Sequence, residues 1–414
     1  MRILWIVNLM LPQLSNELGV RNSASGTWLF EWSKKLSKSG NSFAVACVYG
    51  KVFKKVVIDN ITFYILPGNV RNMVFYTKKY ERIWKSIVSD FKPDIINIHG
   101  TEYCHGLSCI RANPNEKYII SLQGMLCKIK NCDYGGLSKK ELLFSRTFKE
   151  SIRFSGAFES HFLHKRGAKY EKEMLIKSNY IACANEWDKS IAMFINPNAK
   201  LFHIDYDMQE TFKGSTKWSF KNCVPHLLFT NPGGTPLKGI HQLLKAVSLL
   251  KSKYPDIKVI VPGMGDGSKI VIKNGYSKYI SRLIKKLDIE SNVTFLGYQT
   301  PQQMSQNMLK ANAVVIPSAI EGTSLILREA MFLGCPTISS FRGGMANYIT
   351  NKENGFVYDF TEYQYLAKLI DDLFLMDSSQ LETISKNAIA KTSYYNTNNS
   401  FDSLMDMYEF VYKK

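Results

Sequence analysis

Residues 313–336 read AVVIPSAIEGTSLILREAMFLGCP, and the rest of the chain is best understood from them. The run AVVIPS at 313–318 is short and apolar, as a buried parallel strand is. Gly334 and Pro336 make a helix stop: a residue suited to a left-handed cap, then one that cannot continue the helix. The segment therefore reads strand, loop, helix. Thr323 or Ser324 falls at the N-cap, where a hydroxyl satisfies backbone N–H groups. Glu321 lies in the loop mouth and Glu329 more than one turn into the helix. Helical side chains lean toward the N-terminus, so both carboxylates can face one crevice. The backbone N–H groups of Gly322, Thr323, Ser324 and Leu325 lie between them and form an anion site. One phosphate cradle flanked by two carboxylates suits a sugar nucleotide.

At these residues the chain resembles the retaining glycosyltransferases of family 4, which have the GT-B fold. Their hallmark is a Glu, seven residues and a second Glu at this place. The resemblance implies that Glu321 contacts the donor sugar and that Glu329 holds the ribose hydroxyls of the nucleotide. It extends over the whole chain, strongly from about residue 227 to 358 and diffusely before that. The fold it implies is α/β, with two Rossmann-like domains facing each other across a cleft. Residues 1–205 would bind the acceptor, joined by a returning C-terminal helix at 395–414, and residues 206–394 would bind the nucleotide sugar.

A length of 414 residues is itself too great for one typical core and points to two domains. No apolar run approaches the roughly 20 residues that span a bilayer. The opening MRILWIVNLMLPQL has one basic residue, an interrupting Asn8 and no clear small-residue cleavage site, so it reads as a first strand rather than an export signal. The eight cysteines are scattered without Cys-x-x-Cys pairs, the pattern of reduced thiols in a cytoplasm rather than of zinc ligands. The net charge of +18 is uneven, with 30 basic and 17 acidic residues through position 205. The excess includes Lys128, Lys130, Lys139, Lys140, Arg146, Lys149, Arg153, Lys165, Arg166 and Lys169. Phe144, Phe148, Phe154 and Phe162 interleave with them. Such a stretch is either a solvated basic face or a surface that docks on an anionic membrane. No nucleic-acid motif accompanies it, so a nucleic acid is not the expected partner.

The first residues set up a βαβ start: strand 2–7, a long polar loop over 8–25, Gly26 opening a helix at 27–37, strand 42–48. Asp59-Asn60 between two apolar runs predicts a hairpin. A helix is expected over 72–91, then a buried strand over 93–100 that brings His99 to its C-terminal end, where α/β sheets bind ligands. The strand 117–122 ends at Gln123, and 137–177 reads as one basic helical stretch. By resemblance, Gly26 lets the backbone approach the donor phosphate, and His99 lies near the acceptor. Many relatives carry a His beside the donor sugar where this chain has Gln123, an amide that donates and accepts hydrogen bonds without titrating.

Asp205-Tyr206-Asp207 is an Asp-x-Asp string, which in the other large glycosyltransferase architecture binds a divalent metal. Here it falls at the domain crossover, and no metal or other cofactor is expected. The second domain opens with strand 225–230, the loop NPGGTPLKG at 231–239 and an amphipathic helix at 240–251. Relatives usually have an Arg five residues before the loop Lys; Lys238 is kept here, but that register holds Gly233. Backbone N–H groups of Gly233 and Gly234 can form an anion nest in part replacement.

The expected reaction moves a hexosyl group from a UDP- or GDP-linked sugar to the hydroxyl of a lipid-linked or oligosaccharide acceptor, with retention. Its setting would be surface-polysaccharide synthesis (O-antigen, capsule or exopolysaccharide) at the inner face of a bacterial membrane. Lys238 and the helix N-terminus would stabilise charge growing on the diphosphate while Glu321 orients the sugar. Two rival classes are a nucleotide-sugar 2-epimerase on the same architecture and a basic nucleic-acid-binding protein without catalysis.

Overall fold

The computed structural model describes residues 1–19, 26–49, 51–69, 73–267, 269–397 and 400–414. The chain forms two compact units. Met1–Lys130, Leu163–Asp207 and Asn398–Lys414 make the first, and Asn131–Phe162 with Met208–Thr397 make the second.

Eight strands build the sheet of the first unit: β1 (Arg2–Val7), β2 (Ser42–Val48), β3 (Lys54–Ile58), β4 (Ile61–Leu66), β5 (Ile95–His99), β6 (Tyr118–Ser121), β7 (Tyr180–Cys183) and β8 (Lys200–His203). They run in the order β3-β4-β2-β1-β5-β6-β7-β8. Every neighbouring pair is parallel except the edge hairpin β3–β4. Asp59 and Asn60 make that hairpin tight by adopting φ of 50° and 62°, as its two-residue turn requires. The central strands β1 and β5 are buried along nearly their whole length, as strands covered on both faces are.

The helices that matter below are α1 (Thr27–Leu36), α2 (Lys79–Phe91), α3 (Leu126–Ile129), α4 (Ala157–Lys177) and α5 (Glu186–Ile195). On α2 the buried side chains are Tyr80, Trp84, Ile87, Val88 and Phe91, the one-sided spacing of a core-facing helix. The last helix, Ser400–Lys413, closes this unit. Its Tyr408 hydroxyl accepts from Trp5 Nε1 at 2.8 Å and Asn97 Nδ2 at 2.7 Å, and its Ser400 Oγ accepts from Trp32 Nε1 at 2.9 Å. The expected return of the C-terminal helix to the N-terminal residues is therefore found.

The second unit has six parallel strands: β9 (Leu227–Phe229), β10 (Lys258–Val261), β11 (Val293–Phe295), β12 (Ala313–Ile316), β13 (Thr337–Ser340) and β14 (Phe356–Tyr358). Their order is β11-β10-β9-β12-β13-β14, so chain order reverses beside β9 and β12. Two helices frame its strand ends, α6 (Ile240–Leu250) and α7 (Leu325–Leu333).

Four expectations change. Residues 137–177 are not one helix but Lys139–Ser145, Phe148–Arg153 and α4. Two capping boxes restart the chain, Ser138 with Glu141 and Thr147 with Glu150, each reciprocally satisfying backbone N–H groups. Residues 131–162, expected in the first domain, pack within the second unit. There Glu150 Oε1 accepts from Gly275 N at 2.9 Å, and Lys278 Nζ donates to Arg146 O at 3.0 Å. His241 Nε2 also donates to Gly135 O at 2.8 Å. The expected loop over 8–25 contains a helical turn, Pro12–Glu17, started by a proline at its first position; residues 20–25 lie outside the described residues. The helix expected over 72–91 is interrupted: Met73 and Val74 are helical, the helix breaks at 75–78 and the long helix begins at Lys79; Asn72 is likewise outside the described residues. Among the described residues no helix is long and apolar enough to cross a membrane.

Candidate functional site

At the carboxyl ends of β9, β12 and β13 the second unit gathers most of the residues singled out from the sequence. The chain leaves β12 through Pro317 and Ser318 and enters α7 at Ser324. Ser324 is the N-cap: its hydroxyl accepts from Leu327 N at 3.4 Å, with the backbone extended. Gly334 ends the helix in the left-handed region at φ 81°. Gly322, Thr323 and Leu325 therefore occupy the turn onto the helix, whose first N–H groups have no partner within it.

Glu321 is fixed by both backbone and side chain. Gly344 N donates to Glu321 O at 2.8 Å, and a Cβ on Gly343 would stand 2.1 Å from that oxygen. With φ of 83° there as well, only glycine lets the 342–344 loop approach so closely. The Glu321 carboxylate accepts from Ser318 Oγ at 2.9 Å and pairs with the Lys238 ammonium. Lys238 ends a short turn, Pro236–Lys238, that presses onto the strand exit: Ala319 N donates to Leu237 O at 2.7 Å. The following Gly239 has φ of 68°, and a Cβ there would fall 1.7 Å from Pro317 O. Lys-Gly is thus a geometric pair, in which the glycine permits the approach that brings the ammonium to the carboxylate. Gly233, at φ 63°, and Gly234 lie in the same loop, the latter's carbonyl accepting from Asn274 Nδ2 at 2.9 Å.

Glu329, one helical repeat deeper, is buried. Its Oε1 accepts from Gln209 Nε2 at 3.2 Å. Burial pushes its carboxyl from the ordinary value up to about 8, the Arg328 charge and the Gln209 bond opposing only in part.

Gly26, His99 and Gln123 belong to the first unit. Gly26 precedes α1 as its N-cap at φ 83°. His99 is buried edge-on to Trp5, 4.5 Å between ring centres, and burial lowers it to about 3, so the ring stays neutral. Gln123 lies with two residues the sequence reading passed over. A Cβ on Gly100 would meet Glu102 Oε2 at 2.3 Å, Gln123 Oε1 at 3.0 Å and Asn8 Nδ2 at 3.3 Å, so all three crowd the ends of β1, β5 and β6. Burial raises Glu102 to about 7. An acid three residues beyond a parallel strand was the available signal for it. Ser318 and Gln209, bonded to the two key glutamates, carried no such signal.

The Asp-x-Asp string is used structurally. Asp207 accepts from Ser400 N at 3.3 Å and lies 3.8 Å from the Lys35 ammonium, while Asp205 Oδ1 accepts from Tyr206 N at 2.7 Å. Among the described residues no group of three or more His, Cys, Asp or Glu side chains is placed to hold a metal ion.

Comparison with known proteins turns on the same stretch. Residues 231–391 match the family model of the glycosyl transferases group 1, which takes in Lys238, Glu321 and Glu329. The matched segment of the second unit is similar to that family. Among curated relatives, the D-inositol 3-phosphate glycosyltransferase of Corynebacterium urealyticum is 29% identical over 174 residues, 42% of this chain and 40% of that protein. This chain thus spans about 40% of the length of the curated relatives it matches. Solved structures extend the likeness in fold alone. Sucrose-phosphate synthase from Thermosynechococcus elongatus superposes with a TM-score of 0.72 at 15% identity, over 99% of both chains. Anabaena HepE in complex with UDP does so at 0.65 and 15% identity, over 100% of both chains. Two Rossmann-like units and these neighbours give the chain the GT-B fold.

Proposed function

We propose that the protein is a retaining glycosyltransferase that moves a hexosyl group from a nucleotide-diphosphate sugar, UDP- or GDP-linked, to an acceptor hydroxyl. The observation that carries this reading is the Lys238–Glu321 pair beside the N-terminus of α7, with buried Glu329 further along that helix. A diphosphate arriving there meets an ammonium and the positive end of a helix dipole, both of which favour a growing negative charge. As Lys238 turns to the phosphate, the Glu321 carboxylate becomes available to a sugar hydroxyl. Glu329 takes the ribose diol, and Gly233 and Gly234 offer N–H groups to the diphosphate. HepE, a fold neighbour, has been solved with UDP-glucose, which supports a donor of this class.

The acceptor, lipid-linked or an oligosaccharide, is received by the first unit at the cluster of Glu102 and Gln123, near buried His99. Gly26 leaves room for the donor phosphate. The basic residues of the first unit contact an anionic membrane surface, consistent with surface-polysaccharide synthesis at the inner face of the plasma membrane. No nucleic acid and no metal take part.

A thermal-shift panel of nucleotide sugars tests the donor. A ligand at about 100 times its dissociation constant stabilises by roughly 2.7 kcal/mol, a readily seen shift. No shift with any nucleotide sugar would refute the reading, and conversion of donor into an epimer without acceptor would turn it into a 2-epimerase.

A further inference from the structure

The basic residues of the first unit do not form an even coat. α3, α4 and α5 line an open groove of about 580 Å³. Its rim carries Lys128, Lys130, Lys165, Lys169 and Lys172, and its floor includes Ile191, Phe194 and Ile195. The walls are built to hold that shape. Glu171 on α4 accepts from Leu126 N and Cys127 N, each at 2.8 Å, which pins α3 against α4. Asn196, just past α5, donates through Nδ2 to Leu175 O and Ser178 O, each at 2.8 Å, tying the ends of α4 and α5 together.

Charge in the groove is uncompensated. None of the lining residues is acidic. Glu171 is spent on the α3 backbone and the Thr101 hydroxyl, and Glu173 forms a two-pronged pair with Arg111. Among the described residues none of the five lysines has an ion-pair partner. Five ammonium groups around one cavity repel one another and are relieved by a polyanion. The apolar part of the lining adds a second requirement: Phe194 is 83% exposed, and its sequence neighbour Met193 is exposed as well. Exposed apolar side chains beside lysines are the composition of a surface that enters the headgroup layer.

We propose that this groove seats the phosphate of an anionic membrane lipid, with the start of its hydrocarbon chain on Ile191, Phe194 and Ile195. The proposal deepens the membrane contact put forward above and gives it one address. The ammonium groups close around the headgroup, and the chain follows the apolar floor. The groove volume is that of a single small ligand and not of a strand of nucleic acid, whose phosphates would need an extended basic track. A free phosphate would leave the apolar floor unused.

The test is sedimentation of the full chain with vesicles of phosphatidylglycerol and phosphatidylcholine, against phosphatidylcholine alone. Each lysine at such a surface is worth about 1 kcal/mol, or about fivefold in affinity. Lys165→Ala/Lys169→Ala/Lys172→Ala should therefore bind about 100-fold more weakly. The control Lys78→Ala/Lys79→Ala/Lys85→Ala removes the same charge from α2 and its N-cap and should cost less than about fivefold. Phe194→Ser should weaken binding further and make the remainder fully salt-reversible. These lysines are solvent-exposed, so an unchanged melting temperature will accompany the loss. Equal loss in the two triple variants would overturn the groove while leaving a diffuse membrane contact. Wild-type protein that ignores anionic vesicles would overturn both. Full competition by inorganic phosphate with no effect of Phe194→Ser, or lysine-dependent binding of single-stranded RNA with vesicle binding unchanged, would overturn the lipid assignment.

Discussion

Glu329→Gln isolates the electrostatic cost of a buried carboxylate. The native carboxyl holds its proton up to about pH 8, because burial disfavours the anion and one bond from Gln209 offsets little of that. In the unfolded chain the same group ionises near its ordinary value of 4.5. Between those values the native state binds more protons, so stability must fall as pH rises, and the loss is complete above the native value. At about 1.4 kcal/mol per pH unit, the cost reaches roughly 3 kcal/mol at pH 7 and 4 kcal/mol at pH 8, against about 1.5 kcal/mol at pH 5.5. Glutamine keeps the shape and the contact with Gln209 but cannot ionise. Urea unfolding at pH 5.5, 7 and 8, followed by a probe in the second unit, should show Glu329→Gln more stable than wild type by a margin that widens with pH. A margin that is constant with pH would refute the reasoning, since it would mean that Glu329 is already ionised in the folded protein.

Acid should act in the opposite sense. Burial lowers His99 to about 3 and His105 and His241 to about 4, so the native rings stay neutral while the unfolded rings take protons below about pH 6.5. Stability should fall with decreasing pH from that point, by about 2 kcal/mol per histidine at pH 5, and His241→Leu should flatten the slope for the second unit alone in calorimetric scans. Tyr408→Phe strands the Trp5 and Asn97 donors, so it should cost about 1–3 kcal/mol in the first unit, read as a lower melting temperature; no change would mean those bonds do not hold the last helix. Transfer should survive a chelator, because an ammonium and backbone groups are proposed to hold the diphosphate; loss with EDTA and rescue by manganese would bring Asp205 and Asp207 back as ligands.

The strand, loop and helix around Glu321 were legible because their signals are local: an apolar run, hydroxyls at a cap and glycine at a stop. The structure chooses Ser324 over Thr323 as the cap, a choice that backbone geometry makes and composition does not. Most strands of both sheets were legible as apolar runs separated by helices, while their order in the sheets was not. What could not be read depends on distant partners. Residues 131–162 look like a continuation of the first domain, yet Gly275, Lys278 and His241, which hold them, lie more than a hundred residues on. The bond from Gln209 to Glu329 and the pairing of Lys238 with Glu321 join residues 120 and 83 positions apart. His99 ends the predicted strand, but nothing local foretold that Trp5 would cover it.

Calorimetric titration of nucleoside diphosphates, UDP and GDP foremost, into wild type, Glu329→Ala and Glu321→Gln tests the central claim most directly. Glu329 is proposed to hold the ribose, which every such ligand carries, and Glu321 the sugar, which a free diphosphate lacks. Removing the carboxyl strands the ribose hydroxyls it would pair with, at roughly 1–3 kcal/mol, so Glu329→Ala should bind about 5- to 150-fold more weakly. Glu321→Gln should bind like wild type, or more tightly as Lys238 is released, while its turnover falls. Wild-type affinity in Glu329→Ala, or no binding of any nucleoside diphosphate to the wild type, would contradict the account.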